Sequence, residues 1–199
     1  MVQKKRVVIL AFIVAAIVIV SGAFYFLVIQ NPYNNRPIKA GPDAIVLTKA
    51  DLPAGWTVNI SIVNSFDNSS GVSPGWNWGA ESAYAYSYNG TSMQLSIFVE
   101  SWNSSGLAHE QYLGMLNAMG DSGSTPVSLG DEGSMFMGSF ASNDSAGRES
   151  YSAGYAFRVG NVFVNAGFYA NGTNLYYETE WMKGMMDLQS AKLYQNEQR

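Results

Sequence analysis

The sequence predicts an α+β domain in which a mostly antiparallel β-sheet carries two helices on one face, behind an N-terminal transmembrane helix. Three observations lead to this prediction. An uncharged apolar run fills residues 7–29, two pairs of alternating segments meet at Asn-Gly and Gly-Asn dipeptides, and a segment with helical spacing follows each pair. Strands joined by tight turns pair antiparallel, and the helices that follow them pack on the sheet.

The apolar run comes first, and sixteen of its twenty-three side chains are Val, Ile, Leu or Phe. As a helix, residues 7–29 span about 35 Å, which exceeds the roughly 30 Å of a hydrocarbon core. The basic residues Lys4, Lys5 and Arg6 precede the run directly. Residues 1–6 are therefore predicted to stay in the cytoplasm as a basic tip, while everything after residue 29 lies outside. The lipid bilayer is the first predicted partner, and the chain is a single-pass protein of the cell membrane.

Two alternatives to this uncleaved anchor stay open. A signal peptide is cleaved after small residues, and Ser21-Gly22-Ala23 offers such a site, although the apolar run continues to Ile29. A pilin-like subunit also begins with an apolar helix, but the Gly or Ala that usually precedes its cleavage site is missing before Val7.

Composition limits what the part beyond the anchor can do. Eight Lys and Arg face fifteen Asp and Glu beyond residue 29, a formal charge of −7, and no basic residue lies between Lys49 and Arg148. This deficit argues against nucleic acid as a partner, because binding it requires cations that neutralise phosphates. The chain has no Cys and only one His, His109, which excludes thiol chemistry and zinc sites built on several imidazoles. No cofactor is predicted.

Six Asn-X-Ser/Thr sequons agree with a location outside the cytoplasm, since this motif is the acceptor for N-glycosylation. They begin at Asn59, Asn68, Asn89, Asn103, Asn143 and Asn171. A surface rich in Ser and Asn is the alternative explanation for their number. Sequons without Cys fit an archaeal cell surface best.

The elements before the first hairpin are short. Residues 30–43 contain three Pro and no apolar period, which predicts an extended stalk in front of a domain at residues 44–199. The predicted elements that follow are a short strand at 44–47, a helical turn at 48–52 capped by Thr48, a strand at 56–66 and a long loop at 67–79 that carries Trp76 and Trp78.

Two hairpins and two helices make up the rest of the predicted domain. The first hairpin joins 83–88 to 92–100 across Asn89-Gly90, and the second joins 151–159 to 162–170 across Gly160-Asn161. Between them, a helix is expected from Ser104 or Ser105 to about Met119, followed by strands at 127–129 and 134–140. A helix at 174–195 closes the chain. The predicted buried positions of this last helix are Leu175, Met182, Met185, Met186, Gln189 and Leu193.

Four short motifs occur in a fixed order along this domain. They are Asp51-Leu52-Pro53-Ala54-Gly55-Trp56, Gly130-Asp131-Glu132, Arg158-Val159-Gly160-Asn161-Val162 and the segment 189–192. The pattern resembles small anchored surface proteins and lipoproteins of bacteria and archaea whose fold is like that of the photosystem II extrinsic protein PsbP. The resemblance covers residues 45–195 and implies a fold and a location, with no shared catalytic residues. Because the lipobox Cys is missing here, the apolar helix takes the place of the lipid anchor.

Charged and polar residues do not form a recognisable catalytic or metal-binding pattern. Asp131 and Glu132 are adjacent carboxylates in a Gly-flanked turn, without the ligand spacing of an EF-hand loop, and are interpreted as turn formers. His109 is interpreted as a solvated helix residue, since no nucleophile or orienting carboxylate can be assigned to it. No catalytic residue and no metal ligand are predicted.

Tryptophans are the best candidates for a contact site. Trp76, Trp78 and Trp102 can stack on sugar rings or dock a partner protein, or they cover an open face of the sheet. We therefore expect a non-enzymatic, membrane-anchored cell-surface module that binds a partner protein, an envelope component or a small ligand. An accessory subunit of a membrane complex is one form that such a module can take. A structural subunit of a surface filament or envelope lattice is one alternative, and an unrecognised extracytoplasmic enzyme is another.

Overall fold

The computed structural model describes residues 37–52, 54–55, 57–60, 66–67, 73–88, 91–119, 123–140, 149–172 and 176–197. These residues belong to one compact unit. Within them the fold is α+β, as predicted, with an antiparallel sheet and three α-helices. The predicted anchor at residues 7–29 and the basic tip before it lie outside the described residues. None of the helices in the described ranges combines the length and the apolar composition needed to cross a bilayer.

The helices are α1 (Pro42–Ile45), α2 (Ser105–Met119) and α3 (Tyr176–Gln195), with a 3-10 turn at Lys49–Asp51. The strands are β1 (Thr57–Ile60), β2 (Phe66–Asp67), β3 (Trp76–Tyr88), β4 (Thr91–Trp102), β5 (Ser124–Pro126), β6 (Glu132–Phe140), β7 (Glu149–Val159) and β8 (Val162–Gly172). They pair in the order β1-β3-β4-β8-β7-β6-β5, and β2 also pairs with β3.

The two predicted hairpins are confirmed and form the centre of the sheet. Tyr88 pairs with Thr91 and Val159 pairs with Val162, so that each connection has only two residues. Gly160 has a φ of +57°, which a type I′ turn requires at its first central position. Because β4 also pairs with β8, the two hairpins lie side by side and fix the register of the sheet.

The first face of the sheet is the one predicted from the alternation. It buries Met93, Leu95, Ile97 and Val99 of β4 together with Val162, Val164, Ala166 and Phe168 of β8 and Ala153, Tyr155 and Phe157 of β7. Helix α3 covers this face with the predicted residues Met182, Met185, Met186 and Leu193. The prediction of the core positions on both hairpins and on α3 is therefore confirmed, apart from Leu175, which lies outside the described residues.

The prediction that both helices pack on one face is wrong. Helix α2 packs against the opposite, second face, where Trp102, Phe136, Ala156 and Phe163 form a separate buried cluster with Ala108 and Tyr112 of the helix. Successive strand residues point to opposite faces, so Phe163 lies on the second face while Val162 and Val164 lie on the first. Helix α2 covers only one end of this face, and Ser92, Gln94 and Ser96 remain exposed beyond it.

The segment before the 3-10 turn packs on the domain more closely than a stalk would. Ile38 is buried in the core and forms an antiparallel bridge with Glu197. The described fold therefore includes residues 37–43, which were predicted to belong to the stalk at 30–43. The predicted strand at 44–47 is wrong, because Pro42 starts a helical turn instead; its fixed φ suits the first helical position.

Three further boundaries differ from the prediction. The predicted loop at 67–79 ends early, since β3 already begins at Trp76. The predicted strand at 56–66 contains β1 and the start of β2, with residues 61–65 outside the described ranges. Besides β7, strand β6 pairs with β5 at Ser124–Pro126 and not with the predicted strand at 127–129. The predicted turn after Thr48 is present as a 3-10 turn with Thr48 at its N-cap position, where the Thr48 backbone N–H donates to the Asp51 carboxylate over 2.7 Å.

Candidate functional site

A β-bulge separates two of the three candidate tryptophans. Trp76 pairs with Trp102 and Trp78 pairs with Ser101, so Asn77 is an extra residue on β3. In a regular strand, residues two apart share a face, and an inserted residue breaks that rule. Trp76 accordingly packs against the second-face cluster, whereas Trp78 packs against the first-face core.

Trp78 and Trp102 meet at an open cavity of about 380 Å³ at the end of the sheet. The cavity lies where β3 begins and β4 ends. The other lining residues that carry polar groups are Lys39, Asn77, Ser101, Asn103 and Asn161. Trp76 is not among the lining residues, so the structure brings together two of the three predicted contact residues and packs the third against the second-face cluster.

Asn161 connects the segments that form one wall of this cavity. The sequence predicted it only as a turn residue. Its side-chain oxygen accepts from the backbone N–H of Ile38 over 2.6 Å, and its amide donates to the carbonyl of Trp102 over 2.7 Å. The backbone N–H of Trp102 in turn donates to the Asn161 carbonyl over 2.9 Å. The Gly160-Asn161 turn thus links Ile38 to the end of β4 at one wall of the cavity.

Four buried polar atoms on the second face have no hydrogen-bond partner within the described part of the chain: the indole Nε1 of Trp76, the indole Nε1 of Trp102, Oε2 of Glu100 and Oδ1 of Asn171. Glu100 is 9% exposed and lies two residues before Trp102 on the same face. Burial raises the pKa of the Glu100 carboxyl, and a hydrogen bond with Gln111 of α2 offsets part of that rise. A carboxyl in this position resists ionisation.

A charged cluster joins α2 to strands β6 and β7 at the end of the second face that the helix covers, and it corrects two interpretations of the sequence. Nδ1 of His109 lies 2.8 Å from Oε2 of Glu132, so His109 is not simply solvated. Arg158 is 1% exposed, and its guanidinium contacts Glu132 at 2.8 Å and Asp131 at 3.4 Å. Asp131 and Glu132 are therefore the counterions of a buried cation as well as turn residues.

The turn at Gly130 brings these charges together. Gly130 has a φ of +67°, and a Cβ on it would lie 2.4 Å from the carbonyl oxygen of Arg158. That carbonyl accepts from the backbone N–H of Asp131 over 2.7 Å. Only glycine permits this close approach, which is why the Gly130-Asp131-Glu132 sequence presents both carboxylates to Arg158.

The chemistry available to this cluster is limited. The hydroxyl of Ser134 is buried and bonded to that of Tyr112 over 2.8 Å. No group of three or more His, Asp and Glu side chains in the described ranges has the geometry to hold a metal ion.

Comparison with known proteins finds no matching family model, no matching curated protein and no matching solved structure. The resemblance to PsbP-like surface proteins therefore stays a prediction.

Two of the six sequon asparagines have described side chains. Asn103 is exposed at the rim of the cavity. Asn171 lies in β8, partly buried, with its side-chain oxygen enclosed. Asn59 lies in β1 without a described side chain, and Asn68, Asn89 and Asn143 lie outside the described residues.

Proposed function

We propose that this chain is a non-enzymatic cell-surface module that binds an envelope component through the cavity between Trp78 and Trp102. The cavity carries the proposal, because it sets two indoles beside exposed Asn77 and Asn103 in a fixed geometry. Tryptophans in concave sites are frequent centres of binding energy. The described lining residues include no carboxylate and no histidine, so the chemistry of the cavity suits recognition.

Residues 7–29 anchor the module in the membrane in this proposal, with residues 1–6 in the cytoplasm and the domain outside. The length of the apolar run and the three basic residues before it support this topology. Protease added to intact cells should degrade the domain and leave residues 1–6 protected. A mature N terminus near Phe24 would show instead that the segment is a cleaved signal peptide.

The charged cluster supports the non-enzymatic assignment. The Glu132 carboxylate is shared between His109 and the buried guanidinium of Arg158. A carboxylate that compensates a buried cation stabilises the fold, and this role accounts for its position without catalysis.

The binding proposal is tested with the full-length protein in lipid nanodiscs and an envelope fraction from the cells that make it. We expect Trp78→Ala to lower retention of the protein on the envelope by at least about tenfold, as the loss of a central tryptophan does at other interfaces. Trp76→Ala is the matched control, because Trp76 lies outside the cavity. Equal retention of the two variants, with both folded by thermal melting, would disprove a binding role for the cavity.

A further inference from the structure

We infer that the ligand of this cavity is a neutral saccharide, so that the recognised envelope component is a glycan. The inference rests on the proposed function and names the chemistry of its ligand. It follows from what each part of the cavity offers: carbon surface from the indoles, paired donors and acceptors from exposed amides, and little charge.

The indoles provide the apolar part. Nε1 of Trp102 is enclosed, so the small accessible portion of this residue does not include its polar N–H group. Trp78 is partly buried and also lines the cavity. A pyranose ring has a face of C–H groups that packs flat on such aromatic carbon, whereas its hydroxyls point outward around the ring.

The rim provides the polar part. Asn77 and Asn103 are exposed, and an amide both donates and accepts hydrogen bonds. The Asn77 amide nitrogen already donates one weak hydrogen bond to Oγ of Ser101 over 3.4 Å, which leaves its oxygen and its second hydrogen for a ligand. A sugar hydroxyl has the same double capacity, so neighbouring hydroxyls can each find a matching group. Asn161 does not take part in the same way, because its amide already bonds Ile38 and Trp102.

Charge separates a neutral ligand from an anionic one. Lys39 is the single cation among the described lining residues. Phosphate and carboxylate sites usually combine several cations or a bidentate Arg, and one exposed Lys supplies little of that energy. The volume of about 380 Å³ lies near the small end of ligand sites and has room for roughly one or two pyranose rings.

A peptide ligand fits this site less well. Recognition by strand addition needs an unpaired sheet edge, but β3 pairs with β2 at Trp78 and Gly79, directly beside the cavity. Recognition of a peptide side chain needs a pocket that encloses it, and this cavity is open, with Ile38 buried in its wall. The observations therefore favour a sugar over a polypeptide.

The first test treats the envelope fraction before binding. Sodium periodate cleaves the vicinal diols of sugars, whereas proteinase K digests proteins. We expect periodate to lower retention of the full-length protein by at least about tenfold, with proteinase K having less than about a twofold effect. If proteinase K lowers retention and periodate does not, while retention still depends on Trp78, the ligand is not a saccharide but the proposed function stands. Retention that does not depend on Trp78 overturns both.

The second test uses defined probes: methyl α-mannoside, methyl β-galactoside, N-acetylglucosamine and inorganic phosphate, with binding followed by tryptophan fluorescence. At least one neutral sugar should give a saturable change in tryptophan fluorescence and should compete with the envelope fraction for binding to the protein. Inorganic phosphate should do neither. Asn77→Ala, at an exposed rim position, should weaken that sugar at least about fivefold without changing the melting temperature, and Trp76→Ala should bind as the unaltered protein does. Competition by phosphate alone, or equal binding by Asn77→Ala, contradicts the inference.

Discussion

His109 on α2 and Glu132 on β6 meet at 2.8 Å, and the same carboxylate contacts the guanidinium of Arg158 from the other side. Glu132 thus links a helix to two strands, since Arg158 lies opposite it on β7. The sequence offered no orienting carboxylate for His109, because its partner lies 23 residues further along the chain.

The first prediction concerns this link. His109→Ala should lower the free energy of unfolding by about 1 kcal/mol through the lost hydrogen bond. Glu132→Ala should cost about 3–5 kcal/mol, because it leaves a buried guanidinium with weaker compensation. Urea denaturation measures both, and Glu110→Ala, at an exposed position beside His109, is the control. Identical midpoints for His109→Ala and Glu110→Ala would show that the contact does not stabilise the fold.

The second prediction tests the register of the sheet. Leu95→Asp on β4 and Val164→Asp on β8 each bury an unpaired charge in the first-face core and should lose several kcal/mol, enough to unfold the domain. Ser96→Asp should be tolerated, since Ser96 is exposed on the second face beyond α2. Circular dichroism at room temperature distinguishes the outcomes. If Ser96→Asp unfolded the domain as well, the assignment of the two faces would be wrong.

The third prediction concerns the buried carboxyl of Glu100. Burial raises its pKa above the ordinary value of 4.5, so the folded state retains the proton to higher pH than the unfolded state does. The free energy of unfolding therefore keeps its whole contribution from Glu100 below pH 4.5, and this contribution is lost as the pH rises through the pKa of the folded state. Glu100→Gln should remove that decline and gain on the order of 1 kcal/mol at neutral pH.

Denaturation midpoints from pH 4 to pH 8 measure this difference, with Glu81→Gln at an exposed site of β3 as the control. The two glutamine variants should diverge only as pH rises. If the denaturation midpoint of Glu100→Gln equalled that of the unaltered protein at every pH, ionisation of the Glu100 carboxyl would not destabilise the fold.

The fourth prediction concerns Gln189, a fully buried amide on α3. It accepts from the backbone N–H of Leu47 over 3.2 Å and donates to the carbonyl of Ile45 over 2.6 Å. Gln189→Met keeps the volume but leaves both backbone groups unpaired, which should cost about 2–4 kcal/mol. Leu188→Ala, at a position that is 44% exposed, should change stability by less than about 0.5 kcal/mol. Chemical denaturation that finds Gln189→Met as stable as Leu188→Ala would contradict this role.

Local patterns were enough to predict most of the fold. The dipeptides Asn89-Gly90 and Gly160-Asn161 located both hairpins, and strict alternation located the first-face core. The second face escaped prediction because its members come from distant strands. Phe136, Ala156 and Phe163 each occupy an alternate position that looks isolated in its own strand, and only the sheet order collects them.

The sequence identified two contact residues of the candidate site. The tryptophans stood out by type, and two of them line the cavity. The bulge at Asn77 that turns Trp76 away leaves no local signal, since it depends on how β3 pairs with β4. Asn161 was visible as a turn residue, but its bonds to Ile38 span 123 residues and follow from the tertiary fold.

The bridge between Ile38 and Glu197 places the first and last described segments side by side. Adjacent termini allow a chain to be circularly permuted, because a short linker can close the old ends. New ends at the β3–β4 connection would preserve every strand pairing, yet that connection lies at the opposite end of β4 from Trp102 and the cavity. Ends made there would lie far from the cavity, whereas Ile38 in the first described segment lines it, so the connectivity of the chain, and not the sheet alone, places the start of the described fold beside the cavity.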